Sequence, residues 1–367
     1  MNTALYIHIP FCKQKCNYCD FASFAGREFL IDDYLTALEL EAKKRGGTKA
    51  ETLYVGGGTP SVFSEKQLER LIRIIEENIG PVSSFRESTF EANPESLSSG
   101  KLKLLHSAGF NRLSMGLQSA DDEQLKRLGR IHSVSVFWEA FSAARLTGFK
   151  NINVDLIAGL PQQKREDFLS GLKKLLDLKP EHISVYGLQI EEGTPFFERG
   201  ICCDQILMRR MLEDAHFLLE KEGFEHYEIS NFAREGKKSL HNSHYWKNGD
   251  YIGLGSSAVS YLNGERSQNT VDILQYIQKM KKKETPVIFS EKLEGIALEG
   301  EKLMLGFRLL EGVELTEMQE KFFGREIEKH IKNGLLIKAG KKVKLSFEGL
   351  FLANEVFYSF VAPFDNL

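Results

Sequence analysis

Three cysteines near the start of the sequence have the spacing of an iron–sulfur cluster site. Cys12, Cys16 and Cys19 follow the pattern C-x3-C-x2-C, on a loop that we expect directly after the first strand. Thiolates at this spacing can wrap around one cubane cluster, and three ligands leave its fourth iron open to another molecule. The pattern therefore predicts a 4Fe–4S cluster at which chemistry takes place.

Two other kinds of site are compatible with these cysteines. Zinc would need a fourth ligand, which His8 or Asp20 could supply. A cluster used only for electron transfer would need a fourth cysteine, and Cys202 or Cys203 could provide it from afar, although two ordinary linker thiols are the simpler interpretation of that pair. Disulfides are not favoured, because the five cysteines are an odd number and three of them crowd together.

Glycine and polar residues lie where further strands are predicted to end. The segment Gly56-Gly57-Gly58-Thr59-Pro60 follows the second strand, and its bare backbone can approach a ligand closely, although an ordinary tight turn is the alternative. Glu91 and Gln118 end the third and fourth strands, and Asp155 lies in the fifth. Such groups point into the ligand crevice at the C-terminal ends of parallel strands, unless they only bond to nearby loop backbone.

An alternation of strands and helices must position these residues. Amphipathic helical patterns separate six short β-rich runs in residues 1–200. The predicted strands are 5–9, 52–55, 88–91, 113–118, 152–157 and 182–189. Alternation of this kind predicts an α/β fold with a parallel sheet and helices outside it. Because six units are fewer than the eight that close a barrel, we expect a partial (β/α)6 TIM-like barrel with an open side for a large substrate.

The pattern changes after residue 200. A helix near 209–221 and an aromatic, glycine-rich stretch at 227–261 form a middle region, 201–283, which ends in a lysine-rich run expected to be a surface linker. Helices at 299–310, 315–322 and 327–333 and strands at 334–337 and 342–345 predict a winged-helix-like module within a C-terminal α+β region, 284–367. We therefore divide the chain into 1–200, 201–283 and 284–367.

The cysteine pattern, with an aromatic residue before its last cysteine, resembles the signature of the radical S-adenosylmethionine (SAM) superfamily. The surrounding segments, from Tyr6 to Phe21 and from Tyr54 to Pro60, resemble the branch that contains oxygen-independent coproporphyrinogen III oxidase and its haem-chaperone relatives. This resemblance covers nearly the whole chain. It implies that SAM chelates the open iron through its amino and carboxylate groups, and that an electron cleaves its S–C bond to give a 5′-deoxyadenosyl radical.

The resemblance also implies which residues contact SAM. These residues are Tyr6, Tyr18, Gly57, Gly58, Thr59, Glu91, Gln118, Arg130 and Asp155. Tyr18 would lie near the adenine, and the strand-end residues would bind the ribose and the methionine end. Arg130 would pair with the carboxylate of SAM, a contact that suits the guanidinium fork, although a solvated arginine at a helix end is the alternative.

Three features favour the haem-chaperone relatives within this branch. Phe21 stands where the oxidase has a fourth cysteine, and the first strand begins almost at once, without the extension of the oxidase. The segment from His241 to Trp246 matches the motif H-N-x-x-Y-W. Imidazole is a common axial ligand of haem, and aromatic side chains pack on a porphyrin. We name His241 as the haem residue, either as iron ligand or as a residue behind it.

The resulting hypothesis is a haem chaperone that binds haem, a 4Fe–4S cluster and SAM. It would take electrons from a reductant and deliver haem to an acceptor such as a respiratory haem protein. The alternative is coproporphyrinogen III dehydrogenase, a radical SAM oxidative decarboxylase of haem biosynthesis. The same SAM core would serve either activity.

Composition excludes several other classes. The 367 residues carry 48 basic and 51 acidic side chains, and this net charge of −3 argues against a nucleic-acid partner. No run of about 18 apolar residues predicts a transmembrane segment, although transient association with a membrane stays compatible with the sequence. The N-terminal segment lacks the pattern of a signal peptide, so we expect a cytoplasmic protein.

Overall fold

The protein is built around a sheet whose six central strands run parallel in sequence order. The computed structural model describes residues 3–47 and 49–361. The parallel strands are β1 (Thr3–Ile9), β2 (Ala50–Gly57), β3 (Glu87–Ala92), β4 (Arg112–Gln118), β5 (Ile152–Ala158) and β6 (His182–Gly187). Each overlaps one of the predicted runs, so the mixed α/β fold with a large parallel sheet is confirmed.

Strands from the middle of the chain extend both edges of this sheet. They are β7 (Glu225–Glu228), β8 (Asn231–Ala233), β9 (Tyr251–Leu254), β10 (Val259–Leu262), β11 (Glu265–Asn269) and β12 (Val287–Lys292). The order is β12-β11-β10-β9-β1-β2-β3-β4-β5-β6-β8-β7. β9 pairs in parallel with β1, whereas β8 pairs antiparallel with β6. The sheet therefore continues beyond the six repeats on either side.

Helices follow the strands, and several of them cover one face of the sheet. They are α1 (Ile31–Lys44), α2 (Glu65–Asn78), α3 (Ser99–Ala108), α4 (Asp122–Arg127), α5 (Val134–Thr147), α6 (Arg165–Leu176), α7 (Pro195–Glu198), α8 (Gln205–Lys221), α9 (Leu240–Trp246) and α10 (Ile273–Lys281). In α2, Ser64 and Gln67 form a reciprocal capping box, and Leu68, Leu71 and Ile75 bury one face. None of the helices in the described part of the chain is long and apolar enough to cross a membrane.

The two faces of the parallel strands differ in chemistry. On the face against the helices, apolar residues such as Leu53, Val154 and Ile183 are buried in the main core. On the other face, strand neighbours in register are polar, as in Thr52 opposite Glu87. Parallel strands buried on both faces are usually apolar on both. Here one face is polar although its residues Thr52 and Glu87 are buried. The polar face therefore lines an enclosed interior of the protein, which we call the lumen.

The C-terminal region has its own small core. It contains α11 (Gly295–Gly306), α12 (Glu317–Lys332), α13 (Phe347–Phe351), α14 (Ala353–Tyr358) and a sheet of β13 (Val313–Glu314), β14 (Leu336–Ala339) and β15 (Lys342–Leu345). The two helices predicted at 315–322 and 327–333 are one helix, because Phe323 and Ile327 bury the same face across Gly324. The lysine-rich run expected as a linker begins inside α10, where Lys281 Nζ bonds to Asp33 Oδ1 of α1 at 2.7 Å.

Candidate functional site

The cysteine loop leaves β1 and is closed by two very short strands. Phe11–Cys12 pairs in parallel with Phe24–Ala25, so the two ends of the loop lie side by side. The backbone N–H of Asn17 donates to Leu128 O at 2.9 Å. This bond fixes the loop to the segment that carries Arg130. The cysteines thereby lie at the C-terminal end of the parallel strands.

The three thiols lie within electrostatic range of one another. Cys12 and Cys16 are buried, and Cys19 is half-buried. Burial raises the pKa of Cys12 and of Cys19, and the neighbouring thiols raise both further. Arg130 Nη1 lies 3.5 Å from Cys16 Sγ. A guanidinium in this position favours the thiolate that binds iron.

This arrangement fits a multi-iron cluster better than a single zinc ion. Within residues 3–47 and 49–361, no three Cys, His, Asp or Glu side chains converge closely enough to hold one metal ion. A single zinc ion would need each of its sulfur ligands at about 2.3 Å from the same metal. A cubane cluster binds each thiolate through a different iron, so the three thiols can lie farther apart. His8 is already engaged, because Tyr6 OH donates to its Nδ1 and its Nε2 donates to Ala22 O, both at 2.9 Å. Asp20 is exposed.

The glycine run after β2 packs directly on the cysteine segment. Gly58 N–H donates to Ile9 O, and Thr59 N–H donates to Phe11 O, both at 2.8 Å. A Cβ atom at Gly58 would lie 2.7 Å from Phe11 O and 3.1 Å from Cys12 Sγ, which leaves no room for a side chain. Thr59 Oγ1 lies 3.4 Å from the same sulfur. The run therefore sets the position of Cys12, and its contact with SAM stays a prediction.

Two carboxylates face the lumen near this end. Glu91 accepts hydrogen bonds from Tyr54 OH at 2.6 Å and from Gly57 N–H at 3.0 Å. Asp155 accepts one from Asn153 Nδ2 at 2.8 Å. Burial, with a smaller effect from Asp155, raises the pKa of Glu91 to about 7, and burial also raises the pKa of Asp155. A cationic ligand beside them would favour their ionised forms.

An irregularity in β4 positions Arg130. The pairing of β4 with β5 shifts register between Gly116 and Gln118, and Gln118 has a left-handed φ of 68°. Gly116 O and Asn93 Oδ1 each accept a hydrogen bond from Arg130 Nη2 at 2.9 Å. Although burial lowers it, the pKa of Arg130 is raised by acidic neighbours, of which Tyr18 has the largest effect. Arg130, Tyr18 and Gln118 thus come together beside the cysteines.

Sequence reasoning missed Asn93, which links several parts of the site. Besides its bond to Arg130, its Nδ2 donates to Thr59 Oγ1 at 3.1 Å and its backbone N–H donates to Ser61 Oγ at 3.0 Å. Asn93 directly follows β3 and precedes Pro94. The sequence did carry a signal for Asn93, because it is a polar residue near the end of a predicted strand, as Gln118 is.

A row of aromatic rings crosses the lumen away from the cysteines. Ring centroids lie 6.1 Å apart between Tyr6 and Tyr54, 5.1 Å between Tyr54 and His241, and 4.8 Å between His241 and Tyr245. The three tyrosines keep part of their surface accessible, whereas His241 is buried. The row therefore lines a cavity wall on which a flat ligand can pack.

Helix α9, which carries the motif H-N-x-x-Y-W, lies across the opposite end of the lumen. It follows β8, whose Ala233 pairs with His182 at the start of β6. It precedes β9, whose Tyr251 pairs with Ala4 near the start of β1. Both neighbours are at the N-terminal ends of parallel strands. His241 is therefore separated from the cysteine loop by the length of the lumen.

A buried carboxylate anchors the start of α9. Glu87 accepts hydrogen bonds from Leu240 N–H at 2.9 Å, from His241 N–H at 3.0 Å and from Ser239 Oγ at 3.3 Å. The two N–H groups have no acceptor within the helix itself, and a negative charge at a helix N-terminus is favourable. The buried Arg112 balances this charge: burial lowers its pKa, but Glu87 raises it.

Both ring nitrogens of His241 are engaged within the protein. Nδ1 lies 2.8 Å from Thr52 Oγ1, and Nε2 lies 2.7 Å from Tyr245 OH. Burial lowers the pKa of His241 to about 3, with smaller effects from His244 and Arg112. The ring is therefore neutral and held in one orientation. A bond from this ring to haem iron would require one of these hydrogen bonds to break.

A chain of hydrogen bonds joins the two ends of the lumen. Asn153, which donates to Asp155, accepts from His182 Nδ1 at 2.6 Å, and His182 Nε2 bonds to Tyr227 OH at 2.9 Å. Tyr227 OH accepts from Ser239 N–H, the cap of α9, at 3.2 Å. The polar residues alternate with apolar ones along each strand, and this period of two was a signal that sequence reasoning did not use.

The structure thus groups most of the predicted site residues and separates one. The C-terminal end holds Cys12, Cys16, Cys19, Tyr18, Gly57, Gly58, Thr59, Glu91, Gln118, Arg130 and Asp155. Tyr6 lies inside the lumen, and His241 lies at the far end. Cys202 is exposed, and Cys203 belongs to a small apolar cluster with Tyr18, its Sγ 3.6 Å from Leu188 O.

Comparison with known proteins agrees with this geometry. The model of the radical SAM superfamily matches residues 6–175. The heme chaperone HemW of Bacillus subtilis (strain 168) is 36% identical over 97% of this chain and 98% of its own. The heme chaperone HemW of Escherichia coli (strain K12) is 39% identical over 70% of this chain and 69% of its own.

A solved structure shares the fold over nearly the full length. Coproporphyrinogen III oxidase (HemN) from Escherichia coli, a radical SAM enzyme, superimposes with a TM-score of 0.84 at 24% identity, over 98% of this chain and 90% of that one. At this identity the likeness concerns the fold alone. Because the full-length relatives at higher identity are heme chaperones, the chain belongs to the heme chaperone HemW family of the radical SAM superfamily.

Proposed function

We propose that this protein is a haem chaperone that holds haem in the lumen and delivers it to an acceptor protein, such as a respiratory haem protein. The observation that carries the proposal is the placement of α9. Its motif residues His241 and Tyr245 face a partly accessible, aromatic-lined lumen whose other end bears the three cysteines. Full-length relatives named heme chaperones support the same function.

We further propose that Cys12, Cys16 and Cys19 hold three irons of a 4Fe–4S cluster. SAM would then lie between the cysteine loop and the residues grouped at the C-terminal end, with Arg130 on its carboxylate and the pair Glu91 and Asp155 beside its cationic groups. When bound, the cluster and SAM supply one-electron chemistry, for which a reductant is needed. The protein contributes a buried site whose charged groups are already positioned.

For haem, we propose that His241 acts through α9. The hydrogen bonds of its ring to Thr52 and Tyr245 and of its backbone to Glu87 fix the helix against the lumen. In this role the ring positions Tyr245 and Trp246 for contact with the porphyrin. His241 as an iron ligand stays the alternative, and it requires rotation of the ring.

The finer architecture belongs to the same proposal. We propose that residues 1–200 are the SAM unit with the form of a partial (β/α)6 barrel, since its six parallel strands stay in sequence order without closing on themselves. Residues 201–283 would complete the haem site through α9. Residues 284–367 would contain a winged-helix-like module, supported by α12 and the antiparallel pair β14 and β15, whereas β12 at the start of this range pairs with β11 in the main sheet.

One experiment on a single sample tests the function. The full chain is reconstituted without oxygen, and iron, sulfide and haem are quantified with SAM present. We expect a cluster, a haem Soret band, and transfer of haem to an apo-haem protein. The variant Cys202→Ala is a matched control for Cys16→Ala, because Cys202 is exposed and lies outside the cysteine loop. Haem uptake no greater than that of an unrelated protein would contradict the proposal.

The same sample tests coproporphyrinogen III dehydrogenase activity, the alternative supported by the shared fold. Phe21, at the position of the fourth cysteine of the oxidase, is largely exposed at 64%. Incubation with coproporphyrinogen, SAM and a reductant is expected to give no protoporphyrinogen. Accumulation of that product would reverse the assignment in favour of the enzyme.

A further inference from the structure

Arg308 lies against Trp246, the last residue of α9. Its Cζ is 4.3 Å from the ring centroid of Trp246 and 5.7 Å from that of Phe357. The backbone here is fixed, because Arg308 O accepts from Ile229 N–H at 3.2 Å and the next residue, Leu309, bridges to Glu228 at the end of β7. The guanidinium therefore has a defined place where the C-terminal region meets α9.

This guanidinium has no polar partner among the residues that the structure describes. Its Nε is shut off from solvent without a hydrogen bond, and so is Trp246 Nε1. Burial lowers the pKa of Arg308, and the charge of Glu228 only partly offsets this, since the two do not form an ion pair. By contrast, the half-buried Arg266 is paired with Glu291 and Glu301.

An unpaired, partly buried cation costs free energy, and proteins keep such groups mainly where a ligand supplies the missing charge. With Nε closed off, the two Nη groups are the donors of Arg308 that stay accessible. They form the end of the fork that binds a carboxylate through two parallel hydrogen bonds. The ring of Trp246 on the other side gives this anion site an apolar wall.

Arg308 also lies within electrostatic range of a residue in the last parallel strand. Tyr186, at the end of β6, is 41% exposed and is close enough to Arg308 to affect its pKa. Burial raises the pKa of Tyr186, and Asp155 and Glu91 raise it further. Tyr186 therefore lies within electrostatic range of both the lumen carboxylates and the guanidinium.

We propose that Arg308 binds a propionate carboxylate of haem, with Trp246 packed behind the guanidinium. The inference rests on the proposed haem function and adds to it the residue that recognises the charged edge of the ligand. Haem combines a flat aromatic ring with two carboxylates, which matches an arginine packed on Trp246, the residue that follows Tyr245 of the aromatic row. The neutral ester of the same porphyrin would fit the row without using Arg308.

The test compares haem with haem whose two propionates are methyl esters, both followed by the Soret band. The full chain is expected to bind haem on the order of 10-fold more tightly than the diester, because a bidentate charged contact is lost. Arg308→Gln should bind haem about 10-fold more weakly than the unaltered chain and should no longer distinguish haem from the diester. Arg209→Gln is the matched control, because Arg209 pairs with Glu348 on the surface.

Each outcome decides between the two proposals. If the unaltered chain binds neither ligand, the proposed haem function fails. If it binds haem and the diester equally, or if Arg308→Gln still prefers haem, the role of Arg308 is overturned while the haem function stands. The comparison of ligands on the unaltered chain can overturn the proposal without a variant, and Arg308→Lys, which keeps the charge but not the guanidinium fork, is the second variant if Arg308→Gln does not fold. A loss of SAM binding in Arg308→Gln, with haem binding unchanged, would assign this arginine to the carboxylate of SAM instead.

Discussion

The two ends of the lumen are built in opposite ways. At the C-terminal end, three thiols, a charged arginine and two carboxylates of raised pKa lie together in an arrangement that a cluster and a cationic ligand would complete. At the N-terminal end, Glu87 and Tyr227 accept hydrogen bonds from the cap and first residues of α9, and both ring nitrogens of His241 are engaged within the protein. The difference teaches that the first end is prepared for ligands, whereas the second is prepared to hold a helix.

This comparison bears on how a histidine motif is interpreted. A histidine that binds metal usually leaves one ring nitrogen free for the metal and uses the other to fix its orientation. His241 uses both nitrogens within the protein. The motif therefore has two possible roles, which are to fix α9 against the lumen and to supply a ligand to haem iron.

The largest expected effect is the loss of the cluster in Cys16→Ala. With two of the three thiolates left, the reconstituted chain should keep almost no iron or sulfide, because the cluster has no other protein ligand at that corner. Haem binding at the other end should persist. Iron, sulfide and Soret measurements on the same sample check this, with Cys202→Ala as control. A variant that loses haem as completely as iron would show that the two ends are not independent.

The next largest effect is expected for Glu87→Ala. This change leaves the N-terminus of α9 without its acceptor and the buried Arg112 without its counter-charge. We expect the free energy of unfolding to fall by about 3 kcal/mol, measured by denaturant titration. Glu87→Gln keeps part of the bonding and should cost less. An unchanged midpoint would mean that α9 is held by packing alone.

The pH dependence of stability should have opposite signs at the two ends. The pKa of His241 is lowered to about 3, so its contribution is present above its ordinary value of 6.5 and is lost as the pH falls toward 3. The pKa of Glu91 is raised to about 7, so its contribution is present below 4.5 and is lost as the pH rises through 7.

Unfolding of the cluster-free chain between about pH 4 and about pH 8 checks both signs. Relative to the unaltered chain, His241→Gln should gain roughly 2 kcal/mol on acidification, and Glu91→Gln should gain a similar amount as the pH rises. Parallel curves for all three proteins would show that neither group titrates differently in the folded chain.

The smallest effect is expected for Tyr245→Phe. It removes the hydroxyl that bonds to His241 Nε2 and keeps the ring in the aromatic row. Stability should fall by about 1 kcal/mol. If His241 positions the helix, haem binding should weaken only slightly. If His241 is the iron ligand, the freed nitrogen should bind haem more tightly, which a Soret titration distinguishes.

Much of the fold could be predicted from the sequence because its signals are local. Strands such as Ile152–Ala158 are short β-rich runs followed by glycine or proline, and α2 begins at a capping box. The edge strands could not be predicted in the same way. β9 pairs with β1 across more than two hundred residues, and nothing local in Tyr251–Leu254 specifies that partner.

The candidate site divides similarly. The cysteines and strand-end residues were accessible to sequence reasoning, since parallel strands bring their C-terminal ends together. Asn93 escaped it because its partners Arg130 and Thr59 are distant in sequence and meet it only in the folded chain. The engagement of His241 also escaped it, because Thr52 and Glu87 are distant in sequence and meet the ring and its backbone only in the folded lumen.

The pairing of β9 with β1 has a consequence for synthesis on the ribosome. β1 emerges first, yet one of its edges stays bare until Tyr251–Leu254 has been made. At about 5–20 residues per second, roughly 10 to 50 seconds pass in between. During that interval the nascent chain carries an unpaired strand edge next to three reduced thiols. Because an unpaired edge is a template for pairing with another chain, β1 depends on shielding until β9 has been made.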